Sequence, residues 1–276
     1  MSREALVELA LDHLTVADTT PSQLVEVAAA AGARAVCMFL QPMEVLPRMP
    51  VFELYGDTPE RRATRARLDD LGVSIDLVYP FTLAARSEIM DFEKSLETAA
   101  YLGAWAVNVL LYDRDPARRF DRFAEFCALA RDHGLGVVAE FYPTSQVRSL
   151  PEAAELVRRL GASNVGVNVD LLHLMRSGGA LPDLGPAHDA IAYGQFCDGP
   201  SAHPLETREF EASSQRLYAG EGVFDIAGFA AALPAKARMS VEAPRDDLLA
   251  AGVQALERAR CALDATRYAI AGGGRA

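Results

Sequence analysis

Cysteine is sparse in this chain. Cys37, Cys127, Cys197 and Cys261 lie 90, 70 and 64 residues apart, and no two form a C-x-x-C pair. Neither a disulfide framework nor a zinc ribbon fits that spacing, so the expected state is reduced thiols in a cytoplasmic protein. Positive charge is also short: 27 Lys plus Arg stand against 38 Asp plus Glu, a formal charge of −11. A surface of that sign repels phosphate backbones and anionic lipid heads, which argues against nucleic-acid and membrane partners. No apolar run approaches the roughly 18 residues of a membrane helix. The longest, such as Ala104–Leu111, have strand length. Met1-Ser2-Arg3-Glu4 has neither the basic nor the apolar region of a signal peptide. No G-x-G-x-x-G follows the first apolar run, and G-x-S-x-G is absent, so a dinucleotide turn and a nucleophile elbow are both unsupported.

What is present is an ordinary globular composition, 50% hydrophobic and 24% charged, which excludes a disordered chain. Short apolar runs alternate with amphipathic ones. Strands are expected at Ala10–Ala17, Ala35–Leu40, Ser74–Tyr79 (stopped by Pro80), Ala104–Leu111, Gly136–Phe141, Val165–Asp170, Ile191–Phe196 and Arg238–Val241. Helices are expected at Ser22–Ala31, Thr58–Leu71, Ser87–Leu102, Pro116–His133, Leu150–Leu160, Phe224–Leu233 and Asp246–Ile270, with a helical remnant at Pro186–Ala190. Thr20-Pro21 and Thr58-Pro59 are helix starts, and Gly72, Gly103 and Gly161 are stops. The strands read as continuous apolar runs, as buried parallel strands do. Eight such units in this length match a (β/α)8 TIM barrel of the α/β class; a doubly wound open sheet is the rival. No Pro, Gly or Ser-rich linker divides the chain, so residues 1–270 are expected to form one barrel and 271–276 a flexible tail.

In such a barrel the reactive groups sit where the strands end. Four consecutive strands close on an oxygen-bearing side chain: Glu140, Asp170, Gln195 and Glu242, at spacings of 30, 25 and 47 residues. Three carboxylates in one mouth repel one another unless a cation offsets them. Asp, Glu and amide oxygens are hard donors suited to a divalent ion such as Mg²⁺ or Mn²⁺.

The ordered set Val138-Ala139-Glu140, Asn168-Val169-Asp170-Leu171-Leu172-His173, Gln195-Phe196-Cys197-Asp198 and Ser240-Val241-Glu242 resembles the sugar phosphate isomerase/epimerase superfamily, the xylose-isomerase-like barrels. The Gly220-Glu221-Gly222 turn is similar to a signature of the same group. The resemblance covers most of the chain and is densest from Val137 to Pro244. It implies that Glu140, Asp170, Gln195 and Glu242 bind one divalent metal, Mn²⁺, Mg²⁺ or Co²⁺. Many members carry His at the third ligand; Gln195 resembles the branch of hydroxypyruvate isomerases, inosose dehydratases and 3-dehydroshikimate dehydratases.

His173, three residues beyond Asp170, is a candidate general acid or base, and its neutral imidazole is an alternative ligand to Gln195. Asp198 is a candidate to hold a ligand or His173 in place. Arg208 and Arg245 are candidates to grip a substrate carboxylate or phosphate, since Arg offers a bidentate fork. His13, within the first expected strand, and Tyr142, at a strand end, are candidate pocket walls, as are Phe39 and Tyr79. For His13 and the aromatics, packing is the competing assignment.

A divalent ion that chelates a carbonyl and a neighbouring hydroxyl acidifies the adjacent carbon and stabilises the enediolate left on proton removal. The expectation is therefore a metal-dependent isomerase or epimerase of a small keto sugar or hydroxy-keto compound, with Glu140, Glu242 or His173 moving the proton. The alternative is a dehydratase (lyase) of a cyclic keto-polyol such as 3-dehydroshikimate. AP endonucleases share the barrel but need more metal-binding His and a basic face, against which five histidines and the acidic charge argue. A metal-free binding barrel is a further alternative, and self-association into a homo-oligomer is left open.

Overall fold

The computed structural model describes residues 7–273. Strands β1 (Ala10–Asp12), β2 (Ala35–Phe39), β3 (Ser74–Leu83), β4 (Ala104–Leu111), β5 (Gly136–Glu140), β6 (Val165–Asp170), β7 (Ile191–Phe196) and β8 (Arg238–Val241) pair in chain order, all parallel. Pairing of Leu11 with Val241 closes the barrel. The surrounding helices are α1 (Pro21–Ala30), α2 (Pro59–Leu71), α3 (Glu93–Leu102), α4 (Pro116–Asp132), α5 (Leu150–Leu160), α6 (Leu171–Arg176), α7 (Leu184–Ala187), α8 (Arg208–Ser214), α9 (Ile226–Ala232), α10 (Asp246–Ala250) and α11 (Ala255–Ile270). Among the described residues, no helix is long and apolar enough to cross a membrane.

Local chemistry sets the boundaries. Thr20 caps α1 in a capping box with Gln23, and Thr58 caps α2, each followed by a proline in the first turn. Gly72 and Gly103 end α2 and α3 at φ 61° and 80°, a left-handed conformation that other residues rarely adopt. Strand alternation then sorts side chains into two apolar clusters. A small one, built on Ala10, Cys37, Leu77, Ala106, Val138 and Tyr193, fills the barrel lumen. The large one lies between strands and helices, where Phe81, Phe92 and Phe126 meet with ring centroids 5.4–5.9 Å apart. Above the lumen cluster, towards the strand carboxyl ends, the inward positions turn polar.

Several expected boundaries move. The first strand stops at Asp12 rather than Ala17, because the Asp12 side chain accepts the Leu14 N–H and starts a 3-10 turn over His13–Val16. Pro80 does not stop β3, which runs on to Leu83; a register shift between Val78 and Phe81 accommodates the residue without an N–H. The stretch from Ser87 is first a 3-10 turn (Ile89–Phe92) and only then helix. Asp246–Ile270 is two helices separated near Gly252, whose φ is 82°. The sixth helical segment follows Asp170 directly as α6, with α7 ending at Ala187 rather than lying at Pro186–Ala190. The expected tail falls partly on 274–276, outside the described residues.

Phe126 is fully buried between two aromatic rings. Phe126→Ala is expected to lower unfolding free energy by about 3–5 kcal/mol, read by urea denaturation. A loss under about 1 kcal/mol would show that this cluster is not packed as described.

Candidate active site

Register places the polar groups. Glu140 on β5 lies beside Asn168 on β6, and Asp170, two residues on, lies beside Gln195 on β7. Residues two apart share a strand face, so Asn168 and Asp170 both point into the barrel. Asp170 also caps α6: its Oδ1 accepts the His173 N–H at 3.2 Å, which turns the imidazole back over the strand end. His173 Nε2 lies 3.6 Å from Glu140 Oε1 and 3.9 Å from Asp170 Oδ2. Tyr142 backs the imidazole edge-on, ring centroids 4.4 Å apart, and its hydroxyl donates to Glu209 at 2.7 Å. Beyond β8, Glu242 N–H donates to Phe196 O at 2.9 Å. Thr15 clamps the same turn, donating to Val241 O and accepting from Ala243 N–H.

Ligand atoms of Glu140, Asp170 and His173 lie within 4.8 Å of one another, and all three residues are buried. Two carboxylate oxygens and an imidazole nitrogen at that separation fit a single divalent cation. Gln195 and Glu242 adjoin the cluster: Gln195 Nε2 donates to Glu242 Oε2 at 2.9 Å.

A further residue enters from outside the expected set. Arg216 is 2% exposed, and its Nη1 donates to Asp170 Oδ2 at 2.7 Å and to the Glu242 carbonyl at 3.2 Å, with Glu242 Oε2 3.3 Å away. Burial works against every charge here. It pushes Glu140 up to about 8, with Asp170 adding to the rise. It pushes Glu242 well above the usual carboxylate range, against the pull of Arg216. Asp12 rises to about 6, although the Tyr79 hydroxyl donates to it at 2.5 Å. Asp170 goes the other way: burial is outweighed by the Arg216 guanidinium, which holds it below the usual range. His173 is pushed down to about 4 by burial and is neutral, the form that ligates metals. Four buried carboxyl groups thus face one buried guanidinium; burial keeps Glu140 and Glu242 protonated at neutral pH, and a cation placed among them would favour their ionised forms.

The other expected residues are placed differently. His13 lies in the 3-10 turn after β1 rather than in the strand; its Nε2–H reaches Thr19 O at 2.9 Å and its Nδ1 accepts Phe39 N–H at 3.3 Å. With both nitrogens taken, it packs between Phe39 and Phe52. Asp198 holds neither a ligand nor His173: its carboxylate accepts the N–H groups of Gly199, Gly220, Gly222 and Phe224 at 2.8–2.9 Å, fixing the turn that carries the Gly-Glu-Gly motif. Arg245 pairs with Glu221 and Asp247 over the Tyr218 ring. Arg208 reaches Arg176 O rather than the carboxylate cluster. Sequence reasoning missed Arg216, Asp12, Asn108 and the part played by Asn168. Asp12 closes β1 as Glu140 closes β5, but an overlong first strand hid it. Asn108 is a lone polar residue inside the apolar run of β4. Arg216 carries only its position just before the Gly220 turn.

The match to known proteins follows the same lines. Residues 25–265 match the xylose isomerase-like TIM barrel family, and the chain belongs to it. It is 24% identical over 151 residues to an inosose isomerase of Bacillus licheniformis, a match covering 51% of this chain and 53% of that relative, so it spans about half the relative's length. Among solved structures, it resembles a xylose isomerase-like TIM barrel/4-hydroxyphenylpyruvate dioxygenase fusion protein at TM-score 0.73 and 22% identity, covering 92% of this chain and 41% of that one. It also resembles the IOLI protein with a bound zinc atom at TM-score 0.77 and 19% identity, covering 96% and 99% of the two chains. These structural likenesses establish the shared fold.

Two outcomes follow from the electrostatics. Arg216→Met leaves Asp170 and Glu242 buried without a cation and is expected to cost about 3–5 kcal/mol in metal-free protein. Urea denaturation reads the loss, and a value near zero would mean that water already compensates these groups. For His13, burial lowers the folded pKa to about 4, against roughly 6.5 in the unfolded chain. The unfolded state therefore takes up the proton first, and stability falls as pH drops from about 6.5 towards 4. His13→Gln is expected to flatten that fall by up to about 1.4 kcal/mol per pH unit; parallel curves for the two proteins would refute the assignment.

Proposed function

We propose that this chain is a divalent-metal-dependent isomerase or epimerase of a small hydroxy-keto compound. The observation that carries the reading is the buried trio of Glu140, Asp170 and His173, with ligand atoms within 4.8 Å of one another. The relative named as an inosose isomerase and the zinc-bound structural neighbour support the same reading. Glu140, Asp170 and His173 would hold the ion, with Glu242 beside them. When bound, a divalent ion polarises a carbonyl and stabilises negative charge developing on its oxygen.

The chain's own residues do the rest. Glu140 and Glu242 stand on or beyond strands three apart in the barrel, so a substrate between them meets a carboxylate on either side. One removes a proton from the carbon beside the carbonyl; the other returns it to the neighbouring carbon or the opposite face. Arg216 holds Asp170 and Glu242 in place throughout. The cluster is nearly dry, with Glu140 7% and Glu242 8% exposed, which strengthens each of these interactions. If the neighbouring carbon carries a leaving hydroxyl, the same proton removal ends in loss of water, and product analysis separates that outcome.

The test is turnover of keto sugars, inososes and hydroxypyruvate in deuterated water, with and without chelator. Solvent deuterium is expected at the reacting carbon, and activity stripped by the chelator is expected to return with Mn²⁺, Mg²⁺, Co²⁺ or Zn²⁺. Glu140→Gln is expected to lower turnover by at least about a hundredfold with the circular dichroism unchanged. Undiminished activity in metal-free protein would sink the proposal.

A further inference from the structure

Helix α8 forms a roof over the candidate site. Near its start, both oxygens of the Glu209 carboxylate are engaged beyond β5, where Tyr142 donates at 2.7 Å and Thr144 at 3.1 Å. Past its end, Gln215 bridges to Arg245, just beyond Glu242. The helix thus arches from the end of β5 to the end of β8, above the strand ends where Glu140, Asp170, Gln195 and Glu242 stand. Beneath it the site is nearly closed. His173 is 5% exposed, and the Tyr142 ring packs edge-on against it. A small ligand buries most of its surface in its site, so part of this cover has to move before one can enter.

The joints of the roof differ in strength. Arg176, at the end of α6, clasps the excursion at two points. Its Nη2 donates to the Pro200 carbonyl at 3.0 Å, and its guanidinium meets Glu211 through two hydrogen bonds of 2.5 and 2.8 Å, with both side chains buried. The return limb has further support: the Ala212 carbonyl accepts from Arg216 Nε at 2.9 Å, and Arg48 reaches Ser213 and Ser214 from the segment after β2. Between the two clasped points the chain is held less firmly. Residues 204–207, Glu209 and Phe210 are exposed, and Leu205 and Phe210 leave 70% and 54% of their surface in water. His203 reaches Glu211 at 3.3 Å and Arg208 reaches the Arg176 carbonyl at 3.4 Å, both from half-buried positions. Parting a buried ion pair strands two charges, whereas hydrogen bonds at the surface exchange for water at small net cost. The roof therefore parts first at Glu209, and the Arg176 clasp stays.

We propose that residues 201–210 form a flap that pivots on the Arg176 clasp, and that Glu209 is the positioning residue that latches it. Latched, Glu209 holds the Tyr142 ring against His173 and closes the site on the β5 side. Released, the flap opens a way to His173 between α8 and the segment after β5. That a substrate passes there rests on the function proposed above; the movement itself does not.

Diethyl pyrocarbonate, which acylates accessible neutral imidazole, reads the opening at His173 by peptide mass spectrometry of chelator-treated protein. Exposed His188 is the reference, and His13, buried with both nitrogens engaged, reports loss of the fold. Glu209→Ala is expected to raise the His173 rate about fivefold or more over wild type. Glu209→Gln keeps an acceptor for the Tyr142 hydroxyl and is expected to restore most of the protection. Equal His173 rates in wild type and Glu209→Ala overturn the proposal. In hydrogen exchange, Glu209→Ala is expected to speed the amides of 201–210 and leave those of 211–216 at the wild-type rate. Equal acceleration of both stretches overturns the pivot. If His13 reacts in Glu209→Ala, Tyr142→Phe combined with Thr144→Val cuts the same joint from the other side, keeps the ring, and is judged by the same rates. None of these readings needs metal or turnover, so they decide the flap whether or not the metal-centre reading stands.

Discussion

Confining four carboxyl groups at one end of a barrel is the constraint on which the rest of the site depends. Each would be ionised in water, and burial opposes that for Asp12, Glu140 and Glu242. The structure meets the cost in three ways. Arg216 places a permanent charge against Asp170 and Glu242. Backbone and side-chain amides supply N–H donors to each carboxylate. The remaining cost is what the divalent ion of the proposed function would offset. A stable core alone would not gather these groups, since apolar residues of similar volume would do as well there.

The barrel makes this arrangement possible by dividing its interior by height. Tyr193, Val138 and Leu77 pack the lower lumen, and the polar groups occupy the layer above. The lower layer closes the lumen beneath the polar groups, while the helices surround the strands. The site therefore rests on a packed layer, and its loops lie above the strand ends, where a barrel commonly carries its chemistry.

How much of this was legible in the sequence differs by element. The buried strands β4, β6, β7 and β8 could be read to the residue, because continuous apolar runs between turn residues have few alternatives. β1 was misread because Asp12 acts as a cap from inside an apolar stretch, and a local side-chain bond overrode the pattern. Glu140, Asp170, Gln195 and Glu242 were found because each follows an apolar strand. The contacts of Gln195 with Asn168, and of Asn168 with Asn108, form only after the barrel closes. Arg216 was invisible for the same reason: its partners lie 46 and 26 residues away in the chain. Arg245 and Asp198 stood at plausible places, but nearer partners engage both of them.

The Asp198 carboxylate, with four backbone N–H groups gathered on it, has a consequence for how this protein can diversify. An antiparallel bridge joins Asp198 to Leu217, and the chain returns to the same spot after a long excursion. The excursion from Gly199 to Gln215 is thus stapled at its base, and Arg216 is delivered from the staple rather than from the excursion. Its outward part, residues 204–207, is exposed and can be exchanged, whereas the return limb is held by the buried pair of Glu211 with Arg176 and by Arg216 Nε donating to the Ala212 carbonyl. Since its α8 segment hangs over His173 through the contact of Glu209 with Tyr142, that exchangeable stretch is where descendants of this chain would acquire new molecular tastes.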